Sequence, residues 1–199
     1  MRAPERLVWL SLLALLAGGC GSATATLRPP ATSYTAVPIA PTAWPNGTVG
    51  QYGLRIDPTL LGLLPRSVEA VPLVENAGSE QGAMDSADIA RSFDAYAAAS
   101  IGVVGDPDWL NLAIGRLKPE AQTADFYDAW QVQYATGACS QANGVAGSSQ
   151  QTIGDWTVVV STCNGGPVVY TLKLSQDVIV SMYGLGPKDL GRKLLGLLQ

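Results

Sequence analysis

WTVVVSTCNGGPVVYTLKLSQDVIVSMY, Trp156 to Tyr183, reads as three strands in quick succession. In the first, Trp156, Val158 and Val160 alternate with Thr157, Val159 and Ser161. In the second, Val168, Tyr170, Leu172 and Leu174 share one face, and Thr171 and Lys173 share the other. The third runs from Val178 to Tyr183. A period of two with one apolar face is the pattern of an antiparallel sheet with one side packed and one side partly wet. Asn164-Gly165-Gly166-Pro167 joins the first two strands as a tight hairpin, and Ser175-Gln176-Asp177 joins the next two. Gly165-Gly166 is not a phosphate loop: it lies between strands and lacks the Lys-Ser/Thr ending.

Working outward, the stretch from Pro187 to Leu198 predicts a C-terminal helix whose Leu190, Leu194 and Leu197 stripe would dock on that sheet. On the other side, Ser140 to Thr152 is rich in Gly, Ser and Gln and reads as a long polar loop. A helix is expected from Thr123 to Thr136, with Phe126 and Trp130 on one face. Asp125 and Asp128 in its first turns suit the helix dipole better than a pair of catalytic carboxylates. Trp109 to Lys118 alternates as a strand and stops at Pro119. Ser86 to Gly102 predicts another helix, because Ile89, Phe93, Ala97 and Ile101 recur at four-residue steps among alanines. Asp106-Pro107-Asp108 is explained by turn chemistry rather than by a bound cation. Glu75 to Gly82 reads as loop, and Asp57-Pro58 as the start of a short Leu-rich helix. Together these elements predict an α+β fold: an antiparallel sheet of about four strands with helices packed on one face.

Composition narrows the chemistry. The 199 residues include no histidine. That excludes Ser-His-Asp and Cys-His nucleophile systems and every imidazole-bound zinc site. No catalytic residue, metal ligand or cofactor motif emerges. A carboxylate-based hydrolase would need two acidic groups facing each other across a cleft, and no Asp or Glu is set in such a pattern. The net charge of −4 argues against nucleic acid as a partner. Mean hydropathy is +0.18, enough apolar residues for a substantial core.

At the N-terminus, Arg2 and Arg6 precede the apolar run Leu7 to Leu16, and Ala17-Gly18-Gly19-Cys20 follows. A charged start, a short apolar run and small residues at the break mark a secretory signal. The run is far short of the roughly 20 residues of a membrane-spanning helix. Leu16-Ala17-Gly18-Gly19-Cys20 resembles the lipobox of bacterial lipoproteins, with Ala17 where Leu is usual. The resemblance implies cleavage before Cys20 and lipidation of its thiol. Losing residues 1–19 removes two arginines and one glutamate, which moves the net charge from −4 to −5. Residues 20–51 then read as a lipid-anchored Pro-, Thr- and Ala-rich linker, extended because few groups can be buried. Residues 52–199 form the folded domain.

Two cysteines remain, Cys139 and Cys163. An exported, oxidising location makes that pair a disulfide. The order of elements also resembles small actinobacterial lipoprotein domains of the PsbP/Mog1 type, a likeness of topology that implies a binding or accessory module. The sequence therefore leads to an extracytoplasmic, membrane-anchored protein with a non-catalytic domain that binds an envelope protein or small ligand. A carrier of a lipid or other apolar molecule is the alternative. The expected binding surface combines the 140–152 loop, through Ser140, Gln141, Asn143, Gln150 and Gln151, with the hairpin at Asn164 to Pro167. The neighbourhood of Trp109 and Trp130 is the next place to look.

Overall fold

The computed structural model describes residues 44–102 and 107–198. Cys20, the leader and most of the linker lie outside the described residues. In chain order the strands are β1 (Arg55–Ile56), β2 (Ser67–Val68), β3 (Val71–Pro72) and β4 (Val74–Glu75), then, after helices α1 (Ala77–Met84) and α2 (Ala87–Ser92), β5 (Phe93–Ile101) and β6 (Trp109–Leu117). Helix α3 (Ala124–Ala138) follows, then β7 (Val145–Ile153), β8 (Trp156–Cys163), β9 (Val168–Lys173), β10 (Val178–Leu185) and helix α4 (Leu190–Gly196).

One mixed sheet of eight strands dominates, in the order β1-β5-β6-β10-β9-β8-β7, with β4 also pairing β5. Among the described strands only the β1–β5 pair is parallel. This corrects the expected four-strand sheet with helices on one face. Helices and turns cover both faces. A 3-10 turn (Pro58–Leu63), the small β2–β3 sheet and α4 close one core around Ala97, Ile114, Leu172 and Val180. Helices α1, α2 and α3 lie over the other, around Phe93, Tyr96, Ala98 and Ile179.

Two corrections enlarge the sheet, and a third adds a helix. Residues 93–101, expected as the second half of a helix, form β5 instead. Its alanines are buried on both faces, so the alternation that marks a half-wet strand is missing and the four-residue spacing misleads. Burial overrides the helix propensity of alanine. Most of the expected loop from Ser140 to Thr152 instead belongs to the edge strand β7. Its burial is confined to Ile153, which leaves no apolar stripe to read, yet Ile153 and Trp156 close a two-residue hairpin through Gly154 and Asp155. Residues 75–82, also expected as loop, include most of α1. Asn76 caps this helix by accepting from Ser79 N at 3.0 Å.

The expected helix after Thr123, the strand at Trp109 and the three-strand meander are present. Thr123 accepts from Phe126 N at 3.1 Å and caps α3. The fold also starts earlier than residue 52. The Trp44 indole donates to Ala77 O at 3.2 Å, and Gly47 N donates to Ile56 O at 3.0 Å. A lone tryptophan at the end of the Pro-rich stretch finds a pocket on α1 that composition does not reveal.

Helix α3 carries the chain from β6 to the far edge at β7, and it is pinned by one aromatic stack. A register shift between Phe93 and Ala95 turns Phe93 toward the α3 face. Its ring lies over Gly115 of β6, where an added Cβ would meet Phe93 Cδ1 at 2.4 Å. The same ring packs edge-on against Trp130 at 4.9 Å and Phe126 at 6.2 Å. Gly115→Ala therefore lifts Phe93 from the sheet and, through it, α3. The expected loss is about 1–3 kcal/mol, read by urea unfolding, with a change in the near-ultraviolet circular dichroism of Trp130. An unchanged unfolding midpoint would show that the stack is not the anchor.

Candidate functional site

Beside α3 the sheet is left partly uncovered, and a groove of about 670 Å³ opens there. Its floor is made by Asn111 of β6 and Tyr183 of β10, direct neighbours in the ladder. One wall is α3, which presents Phe126, Trp130 and Tyr134 at successive four-residue steps and then the small Gly137 and Ala138. The aromatic residues face the sheet because this helix is amphipathic on that stripe. The small residues beyond them leave the end of the groove open. The other wall is α2, through Ser86, Ile89 and Ser92. Ser86 caps α2 by accepting from Ile89 N at 3.3 Å, which fixes where Ile89 enters.

The aromatic wall is held from below. Trp130 Nε1 donates to the Ser181 hydroxyl at 2.9 Å, and the Tyr134 hydroxyl reaches Ser181 O at 3.5 Å. One buried serine thus anchors two rings. Burial, followed by the nearby Tyr96 and Tyr183, raises the Tyr134 phenol well above the usual tyrosine range, so it remains a neutral donor. Tyr183 packs edge-on against Trp109 at 5.0 Å. Among the described residues the only charges lining the groove are Asp88 and Arg91, which pair with each other at 3.4 Å on the exposed side of α2. The lining is therefore apolar and aromatic with neutral hydrogen-bonding groups and no uncompensated charge.

Across α3 lies a second depression of about 340 Å³, lined by Tyr127, Asp128, Gln131, Gln150, Thr157 and Lys173 among others. It is polar and partly filled by its own contacts. Lys173 Nζ sits over the Tyr127 ring at 4.8 Å, and the Tyr127 hydroxyl donates to Thr171 O at 3.3 Å. The Tyr127 phenol is pushed up to about 12, mainly by burial.

The residues singled out from the sequence fall in several places. Cys139 and Cys163 are bonded to each other. Cys139 is the C-cap of α3 and Cys163 ends β8, so the bond ties the helix end to the sheet. The 140–152 segment and the 164–167 hairpin do meet: Asn164 Nδ2 donates to Asn143 O at 2.7 Å and Gly165 N to Ala142 O at 3.0 Å. Gln150 and Gln151 lie on an ordered edge strand, however, where Gln151 Oε1 accepts from Arg192 at 2.7 Å. Asp108 accepts from Lys188 N at 2.8 Å and fastens two loops, while Asp106 lies outside the described residues. Asp125 and Asp128 are exposed on α3. Among the described residues no group of three or more metal-ligating side chains converges, and no helix is long and apolar enough to cross a membrane.

Trp130 belongs to the neighbourhood the sequence ranked second. Asn111, Tyr183 and Ile89 were not singled out. Asn111 and Tyr183 sit in strands, and only the pairing of β6 with β10 makes them neighbours. No protein-family model, curated protein or solved structure matches this chain.

The disulfide fastens the open end of the aromatic wall. Replacing both cysteines by serine removes a link across 24 residues. The expected cost is about 3 kcal/mol in the chain-entropy model, measured by denaturant unfolding. Exchange of the α3 amides near Gly137 should rise more than exchange in β9. Equal rises in both would show that the bond acts only on the unfolded chain.

Proposed function

We propose that this domain is a non-catalytic binding module, and that its groove takes a small neutral ligand with a flat apolar body. The observation that carries this reading is the groove itself: aromatic walls, locked rings and a floor of Asn111 and Tyr183. Its volume is within the range of small-molecule sites, and such sites combine apolar walls with a few placed polar groups. The self-paired Asp88 and Arg91 leave no net charge to attract an ionic ligand. Trp130 and Tyr134 are held by Ser181 before any ligand arrives, so little ordering is required on binding. Asn111 and Tyr183 supply the polar groups that would orient the ligand.

The leader places this module outside the cytoplasm in our reading, with Cys20 carrying the lipid and the Pro-rich segment as the spacer. The likeness of the leader to a lipobox supports it. The domain then presents its groove at the outer membrane surface, where it holds an apolar compound on behalf of another envelope component.

Two experiments test the two halves. Gly137 lines the groove, and an added side chain there meets open space. Gly137→Phe should fill the groove without loss of thermal stability. N-phenyl-1-naphthylamine, a neutral flat probe, should bind the wild type saturably at one site, and affinity should fall at least tenfold in Gly137→Phe. Equal binding by both would remove the groove from the function. For the anchor, Cys20→Ala should move the protein from the membrane to the soluble fraction and abolish palmitate labelling. Undiminished labelling would exclude lipidation at Cys20.

A further inference from the structure

Away from the groove, Glu80 of α1 is 0% exposed. A carboxyl group with no access to water needs partners on every side. Its position explains one of them. The outer edge of β5 is paired by β1 at Ala95 and Tyr96 and by β4 at Ala99 and Ser100. Between those two short strands the edge would be open. Asn76 N donates to Ala98 O at 2.8 Å, and Ala98 N donates to Glu80 Oε1 at 3.0 Å. A side chain from the covering helix thus takes the place of a strand in the ladder.

The remaining oxygens are less well served. Glu80 Oε2 and Glu75 Oε1 are both buried, and neither has a donor. Glu75, on β4, is paired with Ala99, the residue next to the Ala98 whose N–H Glu80 accepts, and its charge acts to raise the Glu80 carboxyl. Ionised carboxylates only accept, so two of them can hydrogen-bond only through a proton held between them. We infer that Glu75 and Glu80 share one proton, and that this proton latches α1 and β4 onto the edge of β5, so that its loss releases both.

The surroundings agree with this assignment. Burial raises the Glu80 carboxyl to about 7, against the lowering effect of the Ala98 N–H, and the charge of Glu75 adds to the rise. The phenol of Tyr96, on β5, is raised by burial and then by Glu80. No cation is among the groups acting on Glu80. Arg55 of β1 is paired with Asp94 at 3.0 Å, and Arg91 of α2 with Asp88. The closed state binds more protons than an open state in which both carboxyls reach water. Opening therefore becomes easier as pH rises from about 4.5 through about 7, and levels off above that.

What the latch holds gives it a consequence. Ala77 of α1 accepts the Trp44 indole, so α1 holds the inner end of the linker. At its other end α1 passes directly into Ser86 and α2, the polar wall of the groove. Release of α1 loosens the linker attachment and one groove wall together. This holds whatever the groove binds.

Hydrogen exchange on the whole domain, corrected for the intrinsic rate at each pH, tests the latch. Between pH 5 and pH 8 the protection of residues 74–84 should fall on the order of a hundredfold, while β8 and β9 change little. Glu80→Gln keeps an acceptor for Ala98 N but cannot ionise, so its protection should not depend on pH. Glu75→Gln should flatten the dependence as well, and it serves if Glu80→Gln does not fold. A flat wild-type profile, or an unchanged slope in either folded variant, would overturn the proposal. So would recovery of acid-level protection at pH 8 on adding calcium chloride, which would make the pair a cation site.

Discussion

The close approach of the Phe93 ring to a strand that has no side chain beneath it is the contact on which the described arrangement depends. Gly115 makes room for it, and the register shift after Phe93 turns it to that side. Once there, it offers an apolar surface at the height where Trp130 and Phe126 need one. Burying such a ring is worth about 1.5–3 kcal/mol, with edge-to-face pairing adding to that. Without the glycine, the ring and the strand would compete for the same space. Helix α3 would then lose its aromatic seat on a face that otherwise offers it Ile179, Ser181 and Thr171.

The seat also determines what is left uncovered. Helix α3 does not fill its share of this face, so depressions open on both of its flanks. On one flank the neighbours are aromatic and the floor carries Asn111 and Tyr183. On the other they are Gln150, Thr157 and Lys173. The difference follows from which strands lie below: β6 and β10 are at the centre of the sheet, whereas β7 and β8 approach its edge. Central strands carry the apolar and aromatic residues, and the edge carries polar ones. The Cys139–Cys163 bond holds the end of the helix over this boundary.

Polar groups inside this fold are used as fasteners. Ser181 holds two rings, and Glu80 completes a strand edge. The two differ in what they respond to. A serine hydroxyl is indifferent to pH, so the aromatic wall is a permanent feature. A buried carboxyl paired with another carboxyl is not indifferent, and it sits where the linker and the opposite groove wall both attach. The rigid wall and the conditional wall are thus built from chemically different groups.

Much was legible in the residues alone. Alternation in Trp156 to Tyr183 and in Trp109 to Lys118 marks strands, although both faces of β9 and β10 are covered rather than one left partly wet. Thr123, Phe126 and Trp130 mark α3 because a cap and a four-residue stripe have local causes, and the turn at Asn164 to Pro167 is equally local. The absence of histidine is a property of composition, which no fold can alter. The tertiary structure decided the rest. Phe93 to Ile101 is a strand because both of its faces are covered, and a strand buried on both sides loses the period that would reveal it. Val145 to Ile153 is a strand because β8 offers it a ladder, although its own side chains bury almost nothing. Glu80 looks like a solvated charge until the gap between β1 and β4 is seen. Asn111 and Tyr183 become the floor of a groove only when β6 and β10, sixty residues apart in the chain, lie side by side. Such pairings depend on the whole chain closing its sheet, and no local run of residues carries that information.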